Sequence, residues 1–382
     1  MFQFFNKKIF TEMMNKYFDT YYDWWKNIDK SIFFVITILF TLGLFFSFVS
    51  TSIIASDKLS TNSYYFFLKH LVFVILGILI ILIFSSLNQK LLINLSILLF
   101  FFSFIALFLV PMIGIEVKGS KRWLDIGTLP RFQPIETLKP FFVIIISLII
   151  SIDKKNLYFK YLISMVVLLP TIILLLTQPD LGQTLLITFV WLTIIFVSGI
   201  NLILFFLSVL TVCSLTFILI FLVPKFEYIK IRLLSFINVS EGNNYQADKA
   251  IDAISSGGFF GKGIGEGKLN SKIPEAHTDY IMSVIAEEFG VIIVIVIILL
   301  YLIFSYRVIK KINLIENTNI KLILVGSITI ILVQTFIHFG VNIRMLPTTG
   351  MTMPFLSYGG SSIIGTSLLS GIILNLTKRK LI

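Results

Sequence analysis

The residue whose type and position best suit catalysis is Asp279, within the stretch KIPEAHTDYIMSVIAEEFG at 272–290. Asp279 closes a long polar loop, and an apolar helix is predicted to begin at Tyr280. A carboxylate at such a boundary is partly withdrawn from water, yet it can still meet a water-borne partner, which suits a catalytic base. The alternative is structural, because Thr278 or Asp279 could cap the N-terminus of the following helix.

A cluster of cations precedes the predicted fourth span. Lys118, Lys121, Arg122 and Arg131 all fall in the predicted loop 115–133. Several cations in one loop indicate an anionic ligand, and phosphate is the natural candidate. Attraction to lipid headgroups is the alternative interpretation.

The segment PRFQPIETLKP at 130–140 carries an acid and a cation on one predicted helix face. Glu136 and Lys139 are three residues apart, so their side chains can pair. In one interpretation the pair only stabilises the end of the helix. In the other, Lys139 and the basic loop hold a diphosphate while Glu136 orients them.

Further acids lie within or beside the predicted spans. Glu287 and Glu288 fall two turns into a span, where an acid costs about 2.5–3.5 kcal/mol at the bilayer centre. At least one of them must therefore face the protein interior, with Arg344 or Lys139 as the available partner. Asp180, in TQPDLGQ at 177–183, is either a helix cap or part of the same polar face.

The glycine-rich run GGFFGKGIGEGK at 257–268 suggests a nucleotide-binding loop, but the spacing does not fit. A P-loop needs four residues between its first Gly and the Gly-Lys pair, followed by Ser or Thr. Here three residues separate Gly257 from Gly261, and Gly263 follows Lys262. A dinucleotide fingerprint would need a preceding strand in a βαβ unit, which the sequence does not supply. Backbone amides that face a phosphate or sugar remain an option.

The composition places these residues in a membrane protein. The chain is 57% hydrophobic and 13% charged, which excludes an ordinary soluble domain and indicates an all-α integral membrane protein. The net charge of +11 is spread over short loops and both termini, so it favours anionic membrane lipids over nucleic acid as the partner. Because a span needs about 20 apolar residues, ten spans are predicted. They lie near 31–55, 67–87, 91–114, 134–152, 158–177, 181–198, 201–224, 280–305, 319–341 and 354–376.

Lys and Arg residues in the short loops predict the orientation. They gather before the first span, after the last span and in alternate loops, so both termini are expected in the cytoplasm. Residues 1–30 and 378–382 are then cytoplasmic tails that flank a transmembrane domain at 31–377. A large extracytoplasmic loop, 225–279, is predicted between the seventh and eighth spans, with a short amphipathic helix at 245–256.

A third outer segment, LPTTGMTMPFLSYGGSS at 346–362, interrupts a hydrophobic region. Pro347, Gly350 and Pro354 break its regularity. Irregular backbone at membrane depth is tolerated only where it is buried in protein or lines a wet cavity. The basic loop, the large loop and this segment are therefore expected to bring polar groups together on one face.

Several longer motifs occur in a characteristic order: KGSKRWLDIG with FQPIETLK, QPDLGQ, YQADKAIDAISSGGFFGKGIGEG, IPEAHTDYIMSVIAEEFG and PTTGMTMPFLSYGGSS. Together they resemble the SEDS family (shape, elongation, division and sporulation) over about residues 30–377. The sequences of the segments EGKLNSKIPEAHTDY and GVNIRMLPTTGMTMPFLSYGGSS are most similar to the cell-division branch of that family. The family pattern usually has Ser where Ile135 stands and Phe where Tyr280 stands.

The resemblance implies a peptidoglycan glycosyltransferase that polymerises lipid II, an undecaprenyl diphosphate-linked disaccharide peptide, during septal wall synthesis. The reaction would occur at the outer face of the cytoplasmic membrane, with a class B penicillin-binding transpeptidase and other division proteins as partners. Asp279 would be the catalytic residue of an inverting transfer. The side chains expected to bind substrate are Lys121, Arg122, Trp123, Glu136, Lys139, Asp180, His277, Glu287, Arg344 and Ser357.

Two other functions suit part of the same pattern. A transporter that flips the lipid-linked precursor would also use buried charges and broken helices, but its site is expected near the bilayer midplane. A division scaffold without catalysis would not need a charged outer cavity. No His or Asp cluster has metal-ligand spacing, so the sequence leaves open whether a divalent cation, Mg²⁺ or Mn²⁺, assists the protein's own cations.

Overall fold

The computed structural model describes residues 22–58, 64–117, 120–125, 127, 130–152, 157–237, 245–269, 273 and 275–379. Lys118, most of the predicted N-terminal tail and the last three residues of the predicted C-terminal tail lie outside this part of the chain. The described residues are mainly helical. After a short helical stretch at 22–27, the helices are α1 (Lys30–Lys58), α2 (Tyr65–Ser86), α3 (Gln89–Ile113), α4 (Pro134–Ile150), α5 (Leu157–Thr177), α6 (Leu181–Val197), α7 (Leu202–Leu222), α8 (Glu227–Ile237), α9 (Tyr245–Gly257), α10 (Ile281–Ile312), α11 (Thr318–Asn342) and α12 (Gly360–Leu376).

Within the described residues, each of the ten predicted spans corresponds to one helix, and α8 and α9 lie between the seventh and the eighth. Seven helices (α1, α2, α3, α5, α7, α10 and α11) are long and apolar enough to cross a membrane by length and composition. The other three, α4, α6 and α12, are apolar helices of 17 residues. The prediction of an all-α membrane protein with many spans is confirmed.

Side-chain caps and small residues explain how these helices start and pack. Asn88, Asp180, Asn201 and Asn317 each cap the helix that follows, because a side-chain oxygen accepts an N–H of its first turn. The capping interpretation of Asp180 is therefore confirmed. Helices pack closely where glycine leaves room: a Cβ on Gly326 of α11 would lie only 2.6 Å from a methyl carbon of α4.

The tenth predicted span is wrong at its start. The helix α12 begins at Gly360, six residues later than the predicted start at Pro354. Proline cannot donate a helical hydrogen bond, and Phe355 adopts a left-handed backbone with φ of 67°. The non-helical stretch 343–359 therefore reaches further than the sequence indicated.

The loops contain one element that the sequence did not predict and one that it did. Strands β1 (Ile115–Val117) and β2 (Ser120–Trp123) form a small antiparallel hairpin after α3. The amphipathic helix predicted at 245–256 is α9, and its buried alanines include Ala250 and Ala253. Its last residue, Gly257, comes so close to α10 that any Cβ would overlap the carbonyl group of Ala286. Helix α9 thus packs directly on α10.

The glycine-rich run after α9 donates hydrogen bonds to backbone carbonyls of α10 next to a break in that helix. That helix is interrupted at Gly290, which has a φ of 79°. The amide of Lys262 donates to the carbonyl of Glu287 at 2.9 Å, and the amide of Gly263 donates to the carbonyl of Glu288 at 3.0 Å. A Cβ on Gly261 would overlap the carbonyl of Glu288. The glycines therefore serve close backbone docking on α10.

Candidate active site

One large cavity lies at one end of the helix bundle, which we call the loop face. This end carries the β-hairpin, the described residues between 223 and 280, and residues 343–359. The volume of the cavity is about 1700 Å³. The lining comes from all three of these segments, from α2 between Tyr65 and Leu76, and from the ends of α4, α11 and α12 that lie nearest to the loop face. The three segments that the sequence analysis expected to converge thus meet around one cavity.

Asp279 and Arg122 meet in this cavity at Gly350. An Oδ2 atom of Asp279 and an Nη1 atom of Arg122 each lie 3.5 Å from the position that a Cβ on Gly350 would take. At most twice this distance therefore separates the two groups. Gly350 has a φ of 68°, a conformation that glycine adopts without a steric penalty. The absence of a side chain leaves the space between acid and cation open to a ligand.

Arg122 is held by the turn that precedes α6. Its Nε donates to the carbonyl oxygen of Gln178 at 3.3 Å, and its Nη2 donates to that of Pro179. The carboxylate of Asp180 lies 3.7 Å from the same Nε. Asp180 is buried and does not line the cavity. Its contribution to the site is to orient Arg122 and to cap α6.

Glu136 and Lys139 form the ion pair that their spacing predicts, with 2.8 Å between Oε2 and Nζ. The ammonium also donates to Oε1 of Gln334 at 2.8 Å, and the amide of Gln183 donates to the other oxygen of Glu136 at 2.6 Å. Both members of the pair are buried. Glu136 lines the cavity, whereas Lys139 lies behind it. The expectation that Lys139 holds a diphosphate does not fit this position.

Residues from elsewhere in the fold hold the backbone around Asp279 through hydrogen bonds to its carbonyl groups. The amide of Tyr358 donates to the carbonyl of His277 at 3.2 Å. The hydroxyl of Ser357 donates to the carbonyl of Thr278 at 2.7 Å, and the side-chain amide of Asn342 donates to the carbonyl of Asp279 at 3.1 Å. Ser357, expected to bind substrate, thus holds the site-bearing segment instead.

The capping interpretation of Asp279 and Thr278 is wrong. The residue that precedes α10 is Tyr280, and its side chain makes no capping hydrogen bond. The hydroxyl of Thr278 donates to the backbone and the carboxylate of Glu275. The carboxylate of Asp279 can therefore face the cavity rather than its own helix.

The remaining predicted ligands divide into two groups. Trp123 and Arg344 line the cavity, and Arg344 is paired with Asp248. Lys121 is exposed on β2, outside the lining, and His277 packs its ring against Phe66 with 5.2 Å between centroids. In full, Asp279, Arg122, Trp123, Glu136 and Arg344 line the cavity, whereas Lys121, Lys139, Asp180, His277, Glu287 and Ser357 do not.

The acids of α10 serve the protein interior. Glu287 and Glu288 are both buried, as the sequence analysis expected for at least one of them. Glu287 accepts the backbone amide of Leu269 at 3.0 Å, which ties the large loop to the helix. The cations expected to neutralise these acids are engaged elsewhere, because Lys139 pairs with Glu136 and Arg344 pairs with Asp248.

Sequence reasoning missed two cations of the lining, Lys69 on α2 and Arg232 on α8. Lys69 stands next to His70, and Arg232 stands two residues after Lys230, but neither pair forms a recognisable motif. Among the described residues, the lining thus holds the cations Lys69, Arg122, Arg131, Arg232 and Arg344 and the acids Glu136, Glu275 and Asp279. This set of positive side chains suits an anionic ligand.

One wall of the cavity is apolar and reaches the outer surface of the bundle. Leu68, Val72 and Leu76 of α2 line it. Their exposed fractions are 54%, 54% and 43%, which is typical of a helix face turned to lipid. The cavity therefore joins a cationic site to an apolar face, as a ligand with a charged head and a long apolar chain would require.

Metal-binding side chains are not grouped in the described part of the chain, where no cluster of three or more His, Cys, Asp or Glu residues is found. Mg²⁺ is usually held by one or two carboxylates together with substrate phosphates, so a cation that binds with the substrate would not need such a cluster.

The fold and the cavity define a polytopic membrane protein with a cationic site at one end of its helix bundle. The chain belongs to the cell cycle protein family of FtsW, RodA and SpoVE, whose family model matches residues 29–381. The family predicted from the motifs is thereby confirmed.

Three relatives of similar length share the name probable peptidoglycan glycosyltransferase FtsW. The probable peptidoglycan glycosyltransferase FtsW of Trichlorobacter lovleyi is 33% identical over 362 residues, which cover 91% of this chain and 93% of the relative. The protein of the same name from Buchnera aphidicola is 34% identical and covers 93% of this chain and 88% of its own length. That of Caulobacter vibrioides is 29% identical, with coverage of 94% and 91%.

Solved structures agree with this assignment. A chain from work entitled "Structural coordination of polymerization and crosslinking by a peptidoglycan synthase complex" superposes with a TM-score of 0.74 and is 26% identical, covering 92% of this chain and 97% of that one. The rod shape determining protein RodA of Thermus thermophilus has a TM-score of 0.67 and 25% identity, with the same coverage.

Proposed function

We propose that this protein is a peptidoglycan glycosyltransferase that polymerises lipid II during cell division. One observation carries the proposal: the carboxylate of Asp279 and the guanidinium of Arg122 face one point in a cavity that also reaches a lipid-facing helix. The shared name of the relatives supports the same activity.

In the proposed reaction Asp279 is the general base of an inverting transfer. The carboxylate takes the proton from the 4-hydroxyl of the acceptor sugar while that oxygen attacks the anomeric carbon of the donor. The bond between that carbon and the diphosphate breaks with inversion, and undecaprenyl diphosphate leaves with the electron pair. A correctly placed general base accelerates such a step by about 10²–10⁴-fold.

The charge that develops on the leaving diphosphate needs fixed cations. Arg122 is well placed, because its Nη1 and the Oδ2 of Asp279 face one point at Gly350 and its side chain is already oriented by backbone carbonyls. Lys69 and Arg232 also line the cavity and can add to this positive charge. Preorganised positive groups stabilise such charge without having to move during the reaction.

The apolar wall of the cavity accounts for the lipid anchors. Prenyl chains that lie along Leu68, Val72 and Leu76 would keep donor and acceptor at one depth in the membrane. The encounter of the two substrates then becomes local, which lowers its entropic cost.

The proposal places the loop face on the outer side of the cytoplasmic membrane, at the septum, with both termini inside. The distribution of Lys and Arg supports this orientation. The test uses single cysteines in a Cys213→Ser background, since Cys213 is the one native cysteine. A membrane-impermeant maleimide should label Phe260→Cys in intact cells but Lys90→Cys only after permeabilisation. The reverse pattern would contradict the orientation.

A class B penicillin-binding transpeptidase is the proposed partner, together with other division proteins. The similarity to a chain from a peptidoglycan synthase complex supports this pairing. Co-purification of the two full chains from membranes is the expected outcome.

A lipid II flippase and a scaffold without catalysis are the competing functions. The site favours the enzyme, because its polar groups gather at the loop face, whereas the site of a carrier is expected near the bilayer midplane. Proteoliposomes that contain the purified chain should elongate glycan from lipid II in the presence and absence of the partner. Translocation of lipid II without elongation would favour the flippase, and neither activity would favour the scaffold.

A further inference from the structure

Asn342, the last residue of α11, lies at the centre of a buried hydrogen-bond network. It is fully buried, and both faces of its side-chain amide are used. The nitrogen donates to the carbonyl oxygens of Asp279 at 3.1 Å and His338 at 2.8 Å. The oxygen accepts the backbone amide of Ser283 at 3.2 Å and its hydroxyl at 2.7 Å. One side chain thus links α11 to the start of α10 and to Asp279.

These contacts let Asn342 cap α10 from another helix. Ser283 is the third residue of α10, and its amide is one that a capping side chain normally serves. Tyr280, which precedes the helix, has no capping bond. Because Asn342 supplies the acceptor, the carboxylate of Asp279 is not needed to cap α10.

We propose that Asn342 is a positioning residue for the glycosyl transfer, which fixes the backbone of Asp279 so that the carboxylate faces the point it shares with Arg122. The inference rests on the proposed function, since it assigns Asn342 a role only through the base. Asn342 does not line the cavity, so it makes no contact with substrate. Loss of Asn342 should therefore slow the chemical step and leave substrate binding nearly unchanged.

Ser283 provides a matched control. Its hydroxyl donates to the same Asn342 oxygen, and it is equally buried. Ser283→Ala removes one bond of the network but leaves the donor to the carbonyl of Asp279 in place. A residue that only stabilises the helix contact would give the two variants similar effects, whereas a positioning residue would not.

The experiment measures kcat and KM for lipid II polymerisation by the full chain in proteoliposomes, together with the thermal midpoint. Asn342→Ala is expected to lower kcat about 10- to 100-fold, because a displacement of about 1 Å in a reacting group can cost about 100-fold. Its KM should change less than about threefold, as expected for a group remote from the substrate. Asn342→Asp keeps the acceptor for Ser283 but loses the donor to Asp279, so its kcat should fall as well. Ser283→Ala should lower the thermal midpoint with a change in kcat below about threefold.

Normal kcat in the Asn342 variants, or an equal loss in Ser283→Ala, would overturn the inference. Failure of both Asn342 variants to fold, while Ser283→Ala folds, would also count against it, since Asn342 would then be a structural residue. Wild-type protein and Asp279→Asn are included in each assay. Inactive wild-type protein, or active Asp279→Asn, would instead end the proposed function itself.

Discussion

The Oδ2 atom of Asp279 and the Nη1 atom of Arg122 lie 3.5 Å from one common point, the place that a Cβ on Gly350 would occupy. Three separate segments supply these residues: the hairpin, the large loop and the non-helical stretch before α12. An acid that accepts a proton and a cation that stabilises a leaving group are thus brought together by the fold.

Gly350→Ala should impair catalysis beyond its effect on stability. The left-handed backbone costs a non-glycine residue roughly 1–2 kcal/mol, and the methyl group would fill the space between Asp279 and Arg122. We expect kcat/KM to fall about 10- to 100-fold. The control is Gly199→Ala, which has a comparable φ of 84° and no atom within 4 Å of the added Cβ. Equal activity losses in the two variants would argue against a special role for Gly350.

Arg122→Lys should not preserve activity, although it preserves charge. The planar guanidinium donates to three carbonyl oxygens in a geometry that an ammonium cannot reproduce. We expect a loss of about 10-fold or more in kcat/KM, equivalent to about 1.4 kcal/mol. Lys121→Ala, which removes the neighbouring exposed cation, should stay within about twofold. Wild-type kinetics in Arg122→Lys would show that charge alone is required.

The pair of Glu136 and Lys139 should contribute to stability in an all-or-none way. Removing one partner leaves an uncompensated buried charge, which costs about 3–5 kcal/mol. Lys139→Met alone should therefore lower the free energy of unfolding more than the double variant Glu136→Gln with Lys139→Met. Denaturation in detergent micelles measures the difference. A double variant that is less stable than Lys139→Met would contradict the assigned pairing.

Gly261→Ala should prevent the large loop from docking on α10, because the new Cβ would overlap the carbonyl of Glu288. Gly258→Ala is the matched control: its φ of 57° is also left-handed, but nothing lies within 4 Å of the added Cβ. The control should cost roughly 1–2 kcal/mol, whereas Gly261→Ala should reduce the yield of folded protein severely. Comparable yields from both variants would refute the docking role of Gly261.

Apolar runs and motif order predicted the fold and its family correctly, since a bilayer leaves few alternatives to helices. The start of α12 was misplaced because apolar composition continues through Phe355, whose backbone is not helical. The hairpin was missed because strands of three and four residues leave almost no periodic signal.

The candidate site was only partly predictable. Local spacing identified the pair of Glu136 and Lys139, but it could not tell which member faces the cavity. Lys69 and Arg232 reach the lining from distant segments, and only tertiary packing brings them there. Asn342 likewise acts through contacts with residues far away in the sequence.

The most direct test of the central claim is lipid II polymerisation by purified Asp279→Asn protein in proteoliposomes. Asparagine has nearly the same shape as aspartate, so the variant should fold like the wild type. We predict that its kcat falls about 10²–10⁴-fold, the contribution of a general base. Polymerisation at the wild-type rate by correctly folded Asp279→Asn protein would contradict the account.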